Sequence, residues 1–143
     1  MGIEIKNLVA HYDDRGRLYE VAHNYDLVDF AQVYVVENPA PFAIRAYHRH
    51  EKLWDYFCIV RGRAIFCLVD GEEGKRLVLD ANNPQLLTIP PGVWHGWMSL
   101  VPGTILLSIG SDLYSQENPD EERVPHDTFD DLFNGSPWRI MPK

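Results

Sequence analysis

The chain reads as an all-β protein, an antiparallel barrel or sandwich, on two observations. Short runs rich in β-branched and aromatic residues recur along its 143 residues with Gly, Pro, Asn and Asp between them, and apolar repeats of helical period are scarce. The predicted strands are Gly16–His23, Ala31–Glu37, Phe42–His48, Leu53–Val60, Arg63–Asp70, Lys75–Leu79, Gln85–Ile89, His95–Ser99 and Thr104–Ser111. The turns between them carry the residues that turns require, such as Arg61-Gly62, Asn82-Asn83-Pro84, Pro90-Pro91-Gly92 and Val101-Pro102-Gly103. After Tyr114 the composition becomes acidic and proline-containing. Residues 115–143 are therefore expected to pack across the barrel of about 15–114 as a tail of the same single domain, with a short helix near Asp127–Phe133.

Composition narrows the function classes. A length of 143 residues suits one domain with its own hydrophobic core. No apolar run approaches the roughly 20 residues of a membrane span, and the N-terminus lacks the pattern of a signal peptide, so no membrane role and a cytoplasmic location are expected. The formal charge of −8 argues against nucleic acid as a partner, because such binding depends on neutralising many phosphates. A few local arginines suffice for a small anion.

If Arg61-Gly62 closes a two-residue hairpin, Cys58 lies opposite Ile65 and Cys67 opposite Tyr56. That offset predicts two buried apolar thiols and no disulfide. Alternation puts Asp55, Phe57, Ile59, Ala64, Phe66 and Leu68 on one face, and Trp54, Tyr56, Cys58, Val60, Ile65, Cys67 and Val69 on the other. Both faces are apolar and need cover, which predicts a homodimer.

The candidate site is built on histidine. His48 and His50 stand two apart in a strand-like segment and share a face; Asp55 follows five residues later, and Pro90-Pro91-Gly92-Val93-Trp94 turns the chain into His95. Trp94 and Trp97 are expected on the face opposite His95, and His11, His23 and His126 at the surface or in the tail.

His48-Arg49-His50, Asp55 and Gly62 resemble the first cupin motif, with aspartate for the usual glutamate, and Pro90 to His95 resemble the second. The resemblance implies a double-stranded β-helix, or jelly-roll, fold. Within cupins, Asp13-Asp14-Arg15-Gly16-Arg17-Leu18-Tyr19-Glu20, Gln32-Val33-Tyr34, Ile44-Arg45-Ala46-Tyr47-His48 and Ser111-Asp112-Leu113-Tyr114 resemble segments of the dTDP-4-dehydrorhamnose 3,5-epimerase family. This implies a nucleotide-sugar isomerase in deoxysugar or surface polysaccharide synthesis, acting on a dTDP-4-keto-6-deoxy sugar without a cofactor. His48 would be the base, with His50 beside it and Asp127 as orienting carboxylate. Arg15, Glu20, Gln32, Tyr34, Arg45 and Tyr114 would contact the nucleotide-sugar.

The chemistry is sound: a carbon-bound proton beside a ketone is acidified by delocalisation onto oxygen, an imidazole removes it, and a cation steadies the enolate. The chain departs from the epimerases in carrying Ser108 where the family has its catalytic tyrosine, and Asp55 near the place of an active-site lysine. His48-Arg49-His50-Glu51-Lys52-Leu53 resembles instead the dTDP-sugar 3,4-ketoisomerases. Two further readings stay open: a cupin whose His48, His50, Asp55 and His95 hold a divalent transition metal, and a non-catalytic sugar-binding cupin.

Overall fold

The computed structural model describes residues 2–140. Two five-stranded antiparallel sheets face each other across one core. Sheet one runs β1 (Glu4–Asn7), β9 (Gln85–Ile89), β6 (Asp55–Arg61), β11 (Thr104–Gly110) and β4 (Gln32–Asn38). Sheet two runs β12 (Glu122–Arg123), β5 (Ile44–Arg49), β10 (Trp94–Ser99), β7 (Arg63–Asp70) and β8 (Glu73–Asp80). A separate hairpin joins β2 (Ala10–Asp13) to β3 (Gly16–Tyr19). Among the described residues the helical elements are two 3-10 turns, Asn24–Asp26 and Asp130–Phe133, and no helix is long and apolar enough to cross a membrane.

Each predicted strand is present with its ends moved by a few residues, and the tail helix is the turn at Asp130–Phe133. The run predicted over Gly16–His23 stops at Tyr19, because Asp26 accepts the His23 backbone N–H at 2.8 Å and turns the chain into the 3-10 segment. Three strands have no apolar signature in the sequence. β1, β2 and β12 are exposed or nearly so, and β1 adds residues 4–7 to sheet one, so the barrel begins well before residue 15.

The segment at Arg61-Gly62 is not a hairpin. β6 pairs with β9 and β11, whereas β7 pairs with β8 and β10, so the chain steps from one sheet to the other at Gly62. Gly62 has φ +82°, and a Cβ there would lie 2.4 Å from Thr104 Oγ1; only glycine passes. Cys58 and Cys67 are therefore not offset partners in one ladder. Both are free and buried, and burial pushes their thiols up to about 11 and about 12.

The alternation on either side of Gly62 follows the predicted faces. Phe57, Ile59, Ala64, Phe66 and Leu68 fill the space between the sheets with Leu79, Leu87, Ile89 and Leu106. The opposite faces are covered by the chain's own ends. Val124, Phe129, Leu132, Phe133 and Trp138 of the tail cover Ile65, Cys67 and Val69, while Leu8, Val21, Ala22 and Leu27 cover Tyr56, Leu86 and Ile109. Burying an aromatic or branched side chain stabilises by about 1.5–3 kcal/mol, and Trp138 also donates its indole N–H to His126 O at 2.9 Å. The polar tail is held by a few apolar anchors.

Trp97 corrects one expectation. It lies two residues from His95, so strand alternation places it on the same inward face, where it stacks on Phe66 at 6.1 Å. Trp94 points outward under the Arg49 guanidinium, 4.4 Å from its ring centroid.

β10 and β5 approach unusually closely at a register shift between His95 and Trp97, where a Cβ on Gly96 would lie 2.2 Å from the Ala46 Cβ and 2.9 Å from the Arg45 carbonyl. Backbone on both sides leaves nothing to yield. We expect Gly96→Ala to destabilise the fold by about 1–3 kcal/mol and to lower the thermal midpoint by several degrees. A variant that melts with the parent would show that this contact does not set the His95–His48 register.

Candidate functional site

The mouth of the barrel holds a cavity of about 440 Å³ between the two sheets. Sheet one contributes Tyr34 and Asp55, sheet two Arg45, His48 and His95, and the tail Glu121 and Arg123. A neighbouring cavity of about 390 Å³ shares Tyr34, His50 and Asp55 and adds Gln32 and Tyr114.

His48 has one ring nitrogen fixed by the tail and the other without a partner among the described residues. β12 lies antiparallel to β5, and Glu121, the residue before β12, reaches His48 Nδ1 with Oε1 at 2.6 Å. A carboxylate only accepts, so Nδ1 carries the proton and the lone pair of the neutral ring sits on Nε2, which lacks a hydrogen-bond partner among the described residues. Burial holds the ring's pKa below the ordinary histidine value, with Glu121 opposing. A neutral, oriented imidazole is a competent base near neutral pH.

His50 and His95 are engaged differently. Their Nδ1 atoms face backbone carbonyls, Asp120 O at 2.6 Å and Val93 O at 3.0 Å, and each Nε2 lies 3.0 Å from Asp55 Oδ2. Burial raises the Asp55 carboxyl, but hydrogen bonds from the two imidazoles outweigh it and bring the group down to about 2. Burial lowers His50, and Asp55 reverses this to about 9. His50 is thus a cation fixed at the cavity wall and not a free base.

Burial raises the pKa of Tyr34 above its ordinary value, which keeps the phenol protonated at neutral pH. Tyr34 is the register partner of Ser108, whose Oγ is buried without a hydrogen-bond partner. A phenol therefore stands one strand away from the position where the sequence lacks one. Arg45 donates Nε–H to Asn38 Oδ1 at 2.8 Å, which fixes the guanidinium at the cavity.

The structure brings together His48, His50, Asp55, His95, Tyr34 and Arg45, with Gln32 and Tyr114 at the second cavity, where Gln32 Oε1 accepts the Tyr114 backbone N–H at 3.4 Å. Three predicted residues stay outside. Asp127 is exposed in a turn in which its own carbonyl accepts the Asp130 N–H, and Glu121 takes the place predicted for it beside His48. Arg15 is paired with Asp13 at the tip of the outlying hairpin, and Glu20 with His23, so neither lines the two cavities at the barrel mouth. The four-ligand metal set also contracts: His50, Asp55 and His95 present atoms within 4.8 Å of one another, whereas His48 is turned to Glu121.

Glu121, Asp120 and Arg123 escaped the sequence reading. Asp120 and Glu121 sit in an acidic run with Arg123 just after it, and their one local signal, the two-residue strand Glu122–Arg123, is too short to show a period.

Comparison with known proteins places the chain among sugar-modifying proteins. The family model described as FdtA: WxcM-like, C-terminal matches residues 1–123. The chain is 34% identical over 137 residues to the spore coat polysaccharide biosynthesis protein SpsL of Bacillus subtilis, covering 88% of this chain and 89% of that one. It is 30% identical over 138 residues to the probable low-salt glycan biosynthesis epimerase Agl13 of Haloferax volcanii, covering 87% of each. Among solved structures, the fold is similar to ChmJ, a 3'-monoepimerase from Streptomyces bikiniensis in complex with dTDP-quinovose (TM-score 0.81, 24% identity, 92% of this chain and 73% of that one). It is also similar to a 3,4-ketoisomerase from Helicobacter canadensis (TM-score 0.76, 25% identity, 94% and 98%).

Proposed function

The chain belongs to the WxcM-like, C-terminal (FdtA) family, and on that premise we propose that it is an isomerase of a dTDP-linked 4-keto-6-deoxy sugar in glycan or surface polysaccharide synthesis. The observation that carries the proposal is the pairing of His48 Nδ1 with Glu121, which leaves Nε2 as a base at a cavity of sugar-accommodating size. His48 removes a proton from carbon next to the ketone, and the electron pair moves onto the ketone oxygen. Arg45 and the His50 cation offer positive charge to that enolate.

Tyr34 decides between two outcomes. His48 belongs to sheet two and Tyr34 to sheet one, so base and phenol occupy opposite walls of the cavity. A proton taken by His48 on one side and returned by Tyr34 on the other inverts the carbon, which is epimerisation without a tyrosine at position 108. In the alternative, 3,4-ketoisomerisation, the C3 hydroxyl proton passes to the enolate oxygen at C4, His48 returns the carbon-bound proton to C4, and the ketone moves from C4 to C3. A cofactor has no part in either route.

A second reading is favoured by the His50, Asp55 and His95 group. Both imidazoles donate Nδ1–H to backbone carbonyls, the arrangement that aims Nε2 at a metal. These three residues would hold a divalent transition ion, which would supply Lewis acidity.

The chain also leaves Val33 and Val35 exposed on the outer face of the edge strand β4, with Val9 exposed just before the outlying hairpin and Leu18 exposed on it. We propose that these surfaces are covered in a homodimer, since exposed apolar edge strands invite pairing. Light scattering on the purified chain should give twice the monomer mass; a monomer at micromolar concentration would overturn this.

The primary experiment is incubation with dTDP-4-keto-6-deoxyglucose in heavy water, followed by proton NMR. Epimerisation is expected to place deuterium on a carbon of inverted configuration with the ketone retained. A moved ketone, with or without deuterium at the former carbonyl carbon, selects ketoisomerisation, and an unchanged, unlabelled sugar sinks both. His48→Asn should abolish exchange in a folded protein, and Tyr34→Phe should permit exchange without inversion. Because burial keeps His48 neutral, the acid limb of kcat/KM should fall below the ordinary histidine value of about 6.5. The metal reading predicts a rise in thermal midpoint with Zn²⁺, Mn²⁺ or Ni²⁺ that His95→Ala removes; its absence, with turnover intact after chelation, rules the ion out.

A further inference from the structure

We infer that Asp120 is a positioning residue that clasps the tail onto the barrel mouth and thereby aligns both His48 and His50. Its carboxylate accepts three consecutive backbone N–H groups from the loop between β5 and β6: Glu51 to Oδ1 at 2.7 Å, and Lys52 and Leu53 to Oδ2 at 2.9 and 3.0 Å. Successive amides converging on one anion form a nest, and bonds to a charged acceptor are among the strongest a side chain makes. The carbonyl of the same residue accepts His50 Nδ1–H at 2.6 Å, which commits Nε2 of that ring to Asp55.

The clasp also sets register. β12 has two residues, Glu122 opposite Arg49 and Arg123 opposite His48, and a strand so short cannot fix its own alignment. A slip of one residue would carry the Glu121 side chain to the other face. Two anchors prevent it. On the solvent side both carboxylate oxygens of Glu122 accept from Arg49 Nη2, at 2.9 and 3.0 Å, and on the loop side Asp120 holds the nest. Between them Glu121 is delivered to His48.

The kinetic part of this inference rests on the isomerase reading, and the structural part does not. Asp120→Asn keeps the shape, removes the charge and turns one acceptor into a donor that opposes the amides. Amide hydrogen exchange at Glu51, Lys52 and Leu53 should accelerate by about tenfold or more, the loss expected for hydrogen bonds to a charged group, with β7 and β10 unchanged. In the parent, imidazole nitrogen NMR of neutral His48 should show the single Nδ1–H tautomer; in Asp120→Asn it should show a mixture, and Asp120→Glu should restore part of the signal. The loss in kcat should be about tenfold, with little change in KM, and should shrink to less than about twofold in a Glu121→Gln background, because coupled residues are not additive. Unchanged exchange at residues 51–53, or an unaltered His48 tautomer, overturns the inference. An equal loss of kcat in both backgrounds overturns the route through Glu121. If no 4-keto sugar turns over at all, the isomerase reading fails, and the exchange and tautomer measurements still decide the clasp.

Discussion

The site depends on one buried carboxylate. Asp55 stands on β6 in sheet one, and its Oδ2 meets His95 of β10 in sheet two and His50 just beyond β5, each at 3.0 Å. The two sheets are thus joined across the mouth by charge as well as by the apolar core below. Removing a carboxylate from water is costly unless it is paired and hydrogen-bonded, and two imidazoles anchored on carbonyls provide both conditions. The alignment of the sheets at this level follows from that pairing.

The same arrangement divides the labour among the histidines. His50 and His95 have both ring nitrogens engaged by protein, so neither ring has a nitrogen left free at the cavity. His48 has one nitrogen on Glu121 and the other at the cavity. Three residues that look equivalent in the chain differ because their surroundings come from different elements: a tail strap for His48, a strap carbonyl and a core carboxylate for His50, and a local turn carbonyl for His95.

The acidic tail changes meaning in this setting. Its composition is that of a solvated segment, yet it supplies apolar cover for sheet two through Trp138 and Phe129 and polar alignment for the mouth through Asp120 and Glu121. Sites of this kind need a base held in one orientation, and a strap pinned at several points gives that rigidity without adding a core strand. The outlying hairpin is the opposite case: Arg15 and Glu20 lie on an element attached to the barrel by few contacts, and their place in a working site depends on what that hairpin packs against.

By itself the sequence determined the jelly-roll class, the inward set from Phe57 to Leu68, and the convergence of His48, His50, Asp55 and His95. The inward set and the shared face of His48 and His50 follow from the period of two along a strand, whereas the jelly-roll class and the addition of Asp55 and His95 come from the resemblance to the two cupin motifs. Only the tertiary structure decided that Gly62 crosses between sheets, because a two-residue turn and a crossing glycine look alike in the chain and differ in where Thr104 lies. It also decided that Glu121, and not Asp127, meets His48. The two residues are 73 positions apart, and no local rule selects one carboxylate from an acidic run; the choice comes from strand pairing and the nest around Asp120. Likewise Tyr34 and His48 come to line one cavity through the packing of two sheets, a relation that spacing within one strand cannot express.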